Sequence, residues 1–218
     1  MARTVDGRLA YADLLRVLAT IAVVVLHISA GWLGQAAVGS TEWTVLCTYD
    51  ALVRWSVPMF VMLSGAFLLD PKKSVNLRDI FFKYILRVLV ALLVWGSFYA
   101  LLDYGHSNWH FTWAGIKSAF GYVLRSQTHY HLWFLYMIIG LYLVTPILRA
   151  FVRGASRGTF HWFFAVTFVV CSLLPTLQNL WPSQTALPTA WLDKLDIHLV
   201  LGYVGYYVLG YYLKEYTL

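Results

Sequence analysis

Long, nearly unbroken apolar runs separated by short polar stretches make up most of this chain. Six runs stand out: roughly Leu9 to Leu33, Ala51 to Leu69, Ile80 to Leu102, Leu132 to Phe151, Phe160 to Leu174 and Ile197 to Leu213. About 20 apolar residues cross a hydrocarbon core as helix. Only helices and closed barrels satisfy the backbone in lipid, and these runs lack the alternation of barrel strands. The pattern predicts an all-α polytopic transmembrane helix bundle of about six helices, a single membrane domain over residues 1–218. The fifth run is the shortest, with its boundary placed at Pro175.

Composition agrees, since 60% of the residues are hydrophobic and 12% charged, which argues against a soluble domain. Arg3 and Arg8 before the first run and Ser29, Ala30 and Gly31 after it imitate a secretory signal, but Asp13, Arg16 and His27 inside it favour a retained helix. The net charge of +6 raises the question of nucleic acid, and the placement of the 16 basic residues answers it. With a cytoplasmic N-terminus, Arg3, Arg8, Arg16, Lys72, Lys73, Arg78, Lys83, Arg87, Arg149, Arg153, Arg157 and Lys214 fall at inner ends or loops; Arg54, Lys117, Arg125 and Lys194 fall outside. That asymmetry sets the orientation by the positive-inside rule. The lipid bilayer is then the expected partner, and nucleic acid is not.

The stretch GWLGQAAVGSTEWTVLCTYD, residues 31–50, reads as a modestly polar outer loop leading through Arg54 and Trp55 into the second helix. The outer segment 102–130 is too long for a turn; Trp109, Trp113 and Tyr122 would anchor it in the interface. The loop after Pro175, with Pro182 and Pro188, has similar character. Cys47 and Cys171 lie at different depths and suggest neither a disulfide nor a metal site.

Polar residues inside apolar runs carry the candidate chemistry. In YADLLRVLATIAVVVLH, residues 11–27, the helical offsets from Asp13 are about −60° for Arg16, −20° for Thr20 and −40° for His27, so all four share one face. Arg16 and His27 are about 16 Å apart along the axis, two stations on one polar track. Such groups face a bundle interior or wet cavity because lipid is costly for them. Two readings stay open for each station. Asp13 and Arg16 either neutralise each other at the inner interface or shape a cavity. His27 is either a neutral, hydrogen-bonded core group or a catalytic or proton-carrying one.

In RWSVPMFVMLSGAFLL, residues 54–69, Arg54 sits at the outer edge, Pro58 kinks the helix, and Ser64 and Gly65 either permit close packing or line a cavity. Before the third helix, PKKSVNLRDIFFKYILRV carries Arg78, Lys83 and Arg87, the last two one helical turn apart. These charges set topology, bind anionic heads, or hold a phosphorylated donor. In THYHLWFLYMIIGLYLVTP, His129 and His131 point about 200° apart on a helix, which makes a two-histidine metal pair a poor reading. Trp133, Tyr136 and Tyr142 follow as belt or core aromatics. No zinc spacing, phosphate-binding glycine loop, serine elbow or cysteine nucleophile motif is present, and no metal is expected.

YADLLRVLATIAVVVLH with its Arg16-to-His27 spacing, VPMFVMLSG at residues 57–65 and YHLWFLYMIIGLYLVTPIL at 130–148 together resemble the acyltransferase-3 membrane family. The likeness is closest to its surface-polysaccharide O-acyltransferases, of enterobacterial-common-antigen type, and covers nearly the whole chain in order. It implies transfer of an acyl group, usually acetyl from acetyl-CoA, to a hydroxyl of a cell-envelope polysaccharide or its lipid-linked precursor at the inner membrane. His27 would be general base or transient acyl acceptor, with Arg16 and Asp13 shaping the inner part of its cavity and His131 and Trp133 bordering it. Arg54, Ser64 and Tyr136 complete the expected substrate lining. Arg78, Lys83 and Arg87 stand where the family often has a run of arginines for the donor's phosphates, and lysine lacks the bidentate fork. The family fold has about ten membrane helices, so the chain is expected to be a truncated portion, or a short member completed as a homo-oligomer. The rival readings are a transporter or flippase using the same polar track, and a non-catalytic truncated paralogue.

Overall fold

The structure, a computed structural model, describes residues 10–107, 121, 132–180 and 197–217. Every regular element among them is helical. α1 is Ala10–Leu33, α2 Thr41–Val53 and α3 Ser56–Leu68. α4 opens at Leu77–Asp79, passes through a π-helical turn at Ile80–Ile85 and continues as Leu86–Ser107. α5 is Trp133–Gly154. α6 runs Arg157–Phe168, through a π-helical turn at Val169–Leu173, into Leu174–Leu180. α7 is Ile197–Tyr216. With α2 and α3 counted as one kinked rod, these are the six expected helices. Among the described residues, five spans are long and apolar enough to cross a membrane: Ala10–Leu33, Thr41–Leu68, Leu77–Leu102, Trp133–Gly154 and Arg157–Leu177.

Two boundaries differ from the sequence reading. Most of the expected first outer loop is helix from Thr41 onward. Ser40 caps it, its Oγ accepting from the Trp43 amide at 3.1 Å, and Glu42 lies in the first turn where the helix dipole favours an anion. Gly39, at φ +83°, supplies the left-handed turn just before the cap. α6, in turn, does not stop at Pro175. The proline removes one amide and crowds the carbonyl four residues back, and the π turn immediately upstream loosens the helix where that crowding falls. Pro58 acts similarly: it cannot bond the Arg54 carbonyl, and the rod breaks at Arg54 and Trp55.

The core gathers α3, α5, α6 and α7 around Val61, Met137, Leu141, Phe160, Tyr207 and Val208. Its closest crossing is α3 on α7. A Cβ on Gly65 would lie 1.8 Å from the Tyr207 carbonyl oxygen, and one on Gly210 1.9 Å from that of Met62. Two backbones therefore touch at reciprocal glycines, the small-residue packing on which helices in lipid depend. α1 packs on α2 and α3 through a stripe of small buried residues, Ala12, Ala19, Ala22 and Ser29. It turns Leu14, Val17, Ile21, Val24 and Ile28 outward.

Polar groups collect at one end of the bundle. Arg149, buried on α5, donates to the carbonyls of Leu68 at 2.6 Å, Asp70 at 3.0 Å and Lys73 at 2.5 Å. It thereby satisfies acceptors at the C-terminal end of α3 and in the loop beyond it. Asp70 accepts from the Lys72 amide at 2.9 Å and pairs with Lys214 of α7 at 2.6 Å, while Lys72 pairs with Glu215 at 2.9 Å. Arg16, Lys73 and Lys214 lie 5.5, 5.0 and 5.6 Å from the Phe67 ring centroid.

Candidate functional site

Toward the other end of α1, a cavity of about 640 Å³ opens between α1, the kinked α2–α3 rod, α5 and α7. Val23, Leu26, Val57, Phe60 and Phe134 give it apolar walls; His27, Asp50, Arg54, Trp133, Tyr203 and Tyr206 give it chemistry. Its size suits a small-molecule site, and its few polar groups converge from four elements.

His27 enters from α1. Its Nδ1 lies 2.8 Å from the Val23 carbonyl oxygen, one turn back. A carbonyl only accepts, so in the neutral ring Nδ1 carries the proton and the lone pair lies on Nε2. A backbone-anchored Nδ1 with the lone pair on Nε2 is the tautomer that a general base acting through Nε2 uses.

Asp50 enters from α2, almost fully buried, one turn before Arg54. Arg54 Nε donates to Asp50 Oδ2 at 2.6 Å, and Nη2 meets the same oxygen at 2.5 Å. A buried carboxylate without such a partner would be strongly destabilising. The Arg54 side chain is 73% exposed against 9% for that of Asp50, so the pair presents its positive end outward and its carboxylate inward. Trp133 at the start of α5 and Tyr203 on α7 meet with ring centroids 5.8 Å apart and planes tilted by 39°. Tyr206 follows Tyr203 at 6.0 Å and also borders a smaller cavity, of about 260 Å³, between α6 and α7.

The other sequence candidates lie elsewhere. Asp13 and Arg16 form a half-exposed ion pair at 2.7 Å, one turn apart. Neither lines the cavity. Ser64 does not line it either: its Oγ donates to the Phe60 carbonyl at 2.9 Å, beside Tyr142. Tyr136 packs toward α4 with Leu92 and Leu132. Arg78, Lys83 and Arg87 are exposed along the first turns of α4, where the wider π turn at Ile80–Ile85 alters the α-helical register assumed for them. His129, His131, Trp109, Trp113 and Tyr122 lie outside the described residues. Among the described residues no group of three or more histidines, cysteines and carboxylates gathers as a metal site would.

The family model described as "Acyltransferase domain", acyltransferase family 3, matches residues 9–218. The chain belongs to the acyltransferase-3 family. Neither the comparison with curated proteins nor that with solved structures gives a match. Family membership and five apolar helices of spanning length make this a multi-pass membrane protein of acyltransferase type.

For an acyltransferase-3 chain the arrangement has a clear division. Its cavity joins an imidazole in a defined tautomer, a clamped carboxylate and an aromatic wall. Its opposite end gathers cations. The sequence reading missed Asp50, Tyr203 and Tyr206. For Asp50 a signal was present, an aspartate four residues before an arginine at the edge of an apolar run. For the tyrosines only the folding of α7 against α3 and α5 brings them to His27.

Proposed function

We propose that this membrane protein moves an acetyl group from acetyl-CoA to a hydroxyl of a cell-envelope polysaccharide or its lipid-linked precursor. Localisation in the inner membrane with a cytoplasmic N-terminus belongs to the same reading. The observation that carries it is His27 on the cavity wall with Nδ1 anchored on the Val23 carbonyl. In the step envisaged, Nε2 takes the proton of the sugar hydroxyl as its oxygen bonds the thioester carbonyl carbon. The tetrahedral adduct collapses, the carbon–sulfur bond breaks, and the departing thiolate takes the proton from His27. The Arg54 guanidinium is committed to Asp50, which makes it a poor stabiliser of the oxyanion.

The donor's phosphates need cations, and the basic end supplies Arg16, Lys73 and Lys214 around Phe67, with exposed Arg78, Lys83 and Arg87 beyond. α1 joins that end to the cavity, which fits a long donor whose phosphates and thioester lie far apart. Membranes containing the protein, incubated with acetyl-labelled acetyl-CoA and envelope glycan, should transfer label to the glycan, and His27→Ala should not. Undiminished transfer by His27→Ala refutes the role; acceptor movement across the membrane without label transfer supports a transporter instead.

A further inference from the structure

The lining opposite His27 specifies an acceptor more narrowly than the reaction requires. Both Nε and Nη2 of Arg54 converge on Oδ2 of Asp50, and no donor among the described residues bonds Oδ1. Oδ1 is also not among the buried polar atoms left without a partner, a condition found only for Ser56 Oγ among the described residues. Asp50 thus lines the cavity with its carboxylate held in place through Oδ2, which leaves the acceptor capacity of Oδ1 for a ligand. A carboxylate oxygen fixed by a charge-assisted bond is a strong acceptor for a hydroxyl.

The aromatic wall supplies the complementary surface. Trp133 and Tyr203 both border the cavity, their ring centroids 5.8 Å apart and their planes tilted by 39°. A pyranose has what the two walls require: an apolar C–H face to lie on aromatic rings and an equatorial rim of hydroxyls to reach a carboxylate. Charge narrows the class further. The carboxylate and the guanidinium that line the cavity, Asp50 and Arg54, compensate each other. An acidic sugar would meet Asp50 at that wall, where Arg54, the one lysine or arginine among the described lining residues, is already paired to it.

We infer that Asp50, Trp133 and Tyr203 form a subsite for an uncharged pyranoside, in which Asp50 Oδ1 holds one hydroxyl and His27 receives a different one. The inference rests on the acyl-transfer reading above and adds residue roles and sugar class to it. Arg54 is a positioning residue here, acting through the Asp50 carboxylate.

Binding tests this independently of transfer. The purified full chain in nanodiscs is titrated by equilibrium dialysis with labelled neutral methyl pyranosides (gluco, galacto, manno and N-acetylated) and with a methyl uronoside. Saturable binding of at least one neutral pyranoside is expected, with the uronoside at least tenfold weaker. Asp50→Asn and Tyr203→Leu should each weaken binding about tenfold, the cost of one good polar or stacking contact. Tyr203→Phe keeps the ring and should bind like wild type, which separates loss of the platform from loss of fold. His27→Ala should bind sugar while losing transfer. Absence of saturable binding across the panel, preference for the uronoside, or binding indifferent to both Asp50→Asn and Tyr203→Leu overturns the subsite. Transfer that persists with an unchanged acceptor KM in Asp50→Asn also overturns it and leaves the acyltransferase reading standing. Sugar binding with the expected pattern but no transfer by wild type does the reverse.

Discussion

The two ends of α1 carry the same kinds of residue and treat them in opposite ways. Around Arg16 the neighbouring polar groups bond one another: Arg149 holds three carbonyls, Asp70 is shared by Lys214 and the Lys72 amide, and Asp13 holds Arg16. Around His27 the polar groups are anchored from behind at the wall of a cavity: Nδ1 of His27 lies on the Val23 carbonyl, and Asp50 is held by Arg54 through Oδ2. Polarity within an apolar chain therefore has two uses, as a clamp where its bonds close internally and as a reactive wall where they hold side chains against a cavity.

The largest expected effect separates these uses. His27→Ala should lower transfer by about 10²- to 10⁴-fold, the ordinary worth of a positioned base, with little change in thermal unfolding. Arg149→Met should do the opposite. It strips the donor from three carbonyls, each costly to leave unsatisfied, and should destabilise the fold by about 3 kcal/mol or more. Unfolding followed in nanodiscs beside transfer assays checks both; a stable Arg149→Met protein that has lost only activity would reverse the assignment of the two ends. Next comes Gly65→Ala, which puts a methyl into the Tyr207 backbone and forces α3 from α7 at a cost of about 1–3 kcal/mol. Because Tyr203 and Tyr206 ride on α7, that shift should also weaken sugar binding. Binding unaffected by a destabilised crossing would show that the cavity does not depend on it.

Much of the fold was legible because lipid leaves hydropathy as the dominant signal. Four expected spans agree with observed ones to within a few residues, and α7 forms where the sixth was expected. The second was read too short. Its first half, Thr41–Val53, is not a hydrophobic run, and only the cap at Ser40 and burial of Asp50 against neighbouring helices explain its helicity. Of the residues expected at the site, His27, Arg54 and Trp133 line the cavity, while Ser64 and Tyr136 lie outside its lining; position along one helix does not say which neighbour a face meets. Tyr203 was out of reach because it lies 176 residues from His27 along the chain and is brought near it by the α3–α7 crossing.

A smaller effect probes the clamp by pH. Burial alone would raise the Asp70 carboxyl, but bonds from Lys214 and the Lys72 amide, with the charges of both lysines, bring it below its ordinary value. A folded pKa below the unfolded one stabilises the protein fully above the ordinary carboxylate range, and that stability is lost as pH falls through the depressed value. Each unit of depression corresponds to about 1.4 kcal/mol. Asp70→Asn should therefore be less stable than wild type at neutral pH, with the two unfolding curves converging below about pH 4. A gap that persists undiminished into acid would show that Asp70 acts by shape and not by charge.

The smallest effect is expected where the clamp meets its surroundings. Asp13 and Arg16 are each about half exposed, at 49% and 48% of their side chains, and such pairs contribute little because solvent screens them and two side chains must be ordered. Arg16 also faces Phe67 at 5.5 Å and keeps that contact without Asp13. Asp13→Asn should therefore change stability by less than about 1 kcal/mol, and the change should shrink with added salt. Unfolding of this variant at low and high ionic strength makes the comparison. A loss as large as that of Asp70→Asn, insensitive to salt, would place Asp13 inside the closed network and move the boundary between clamp and reactive wall one turn along α1.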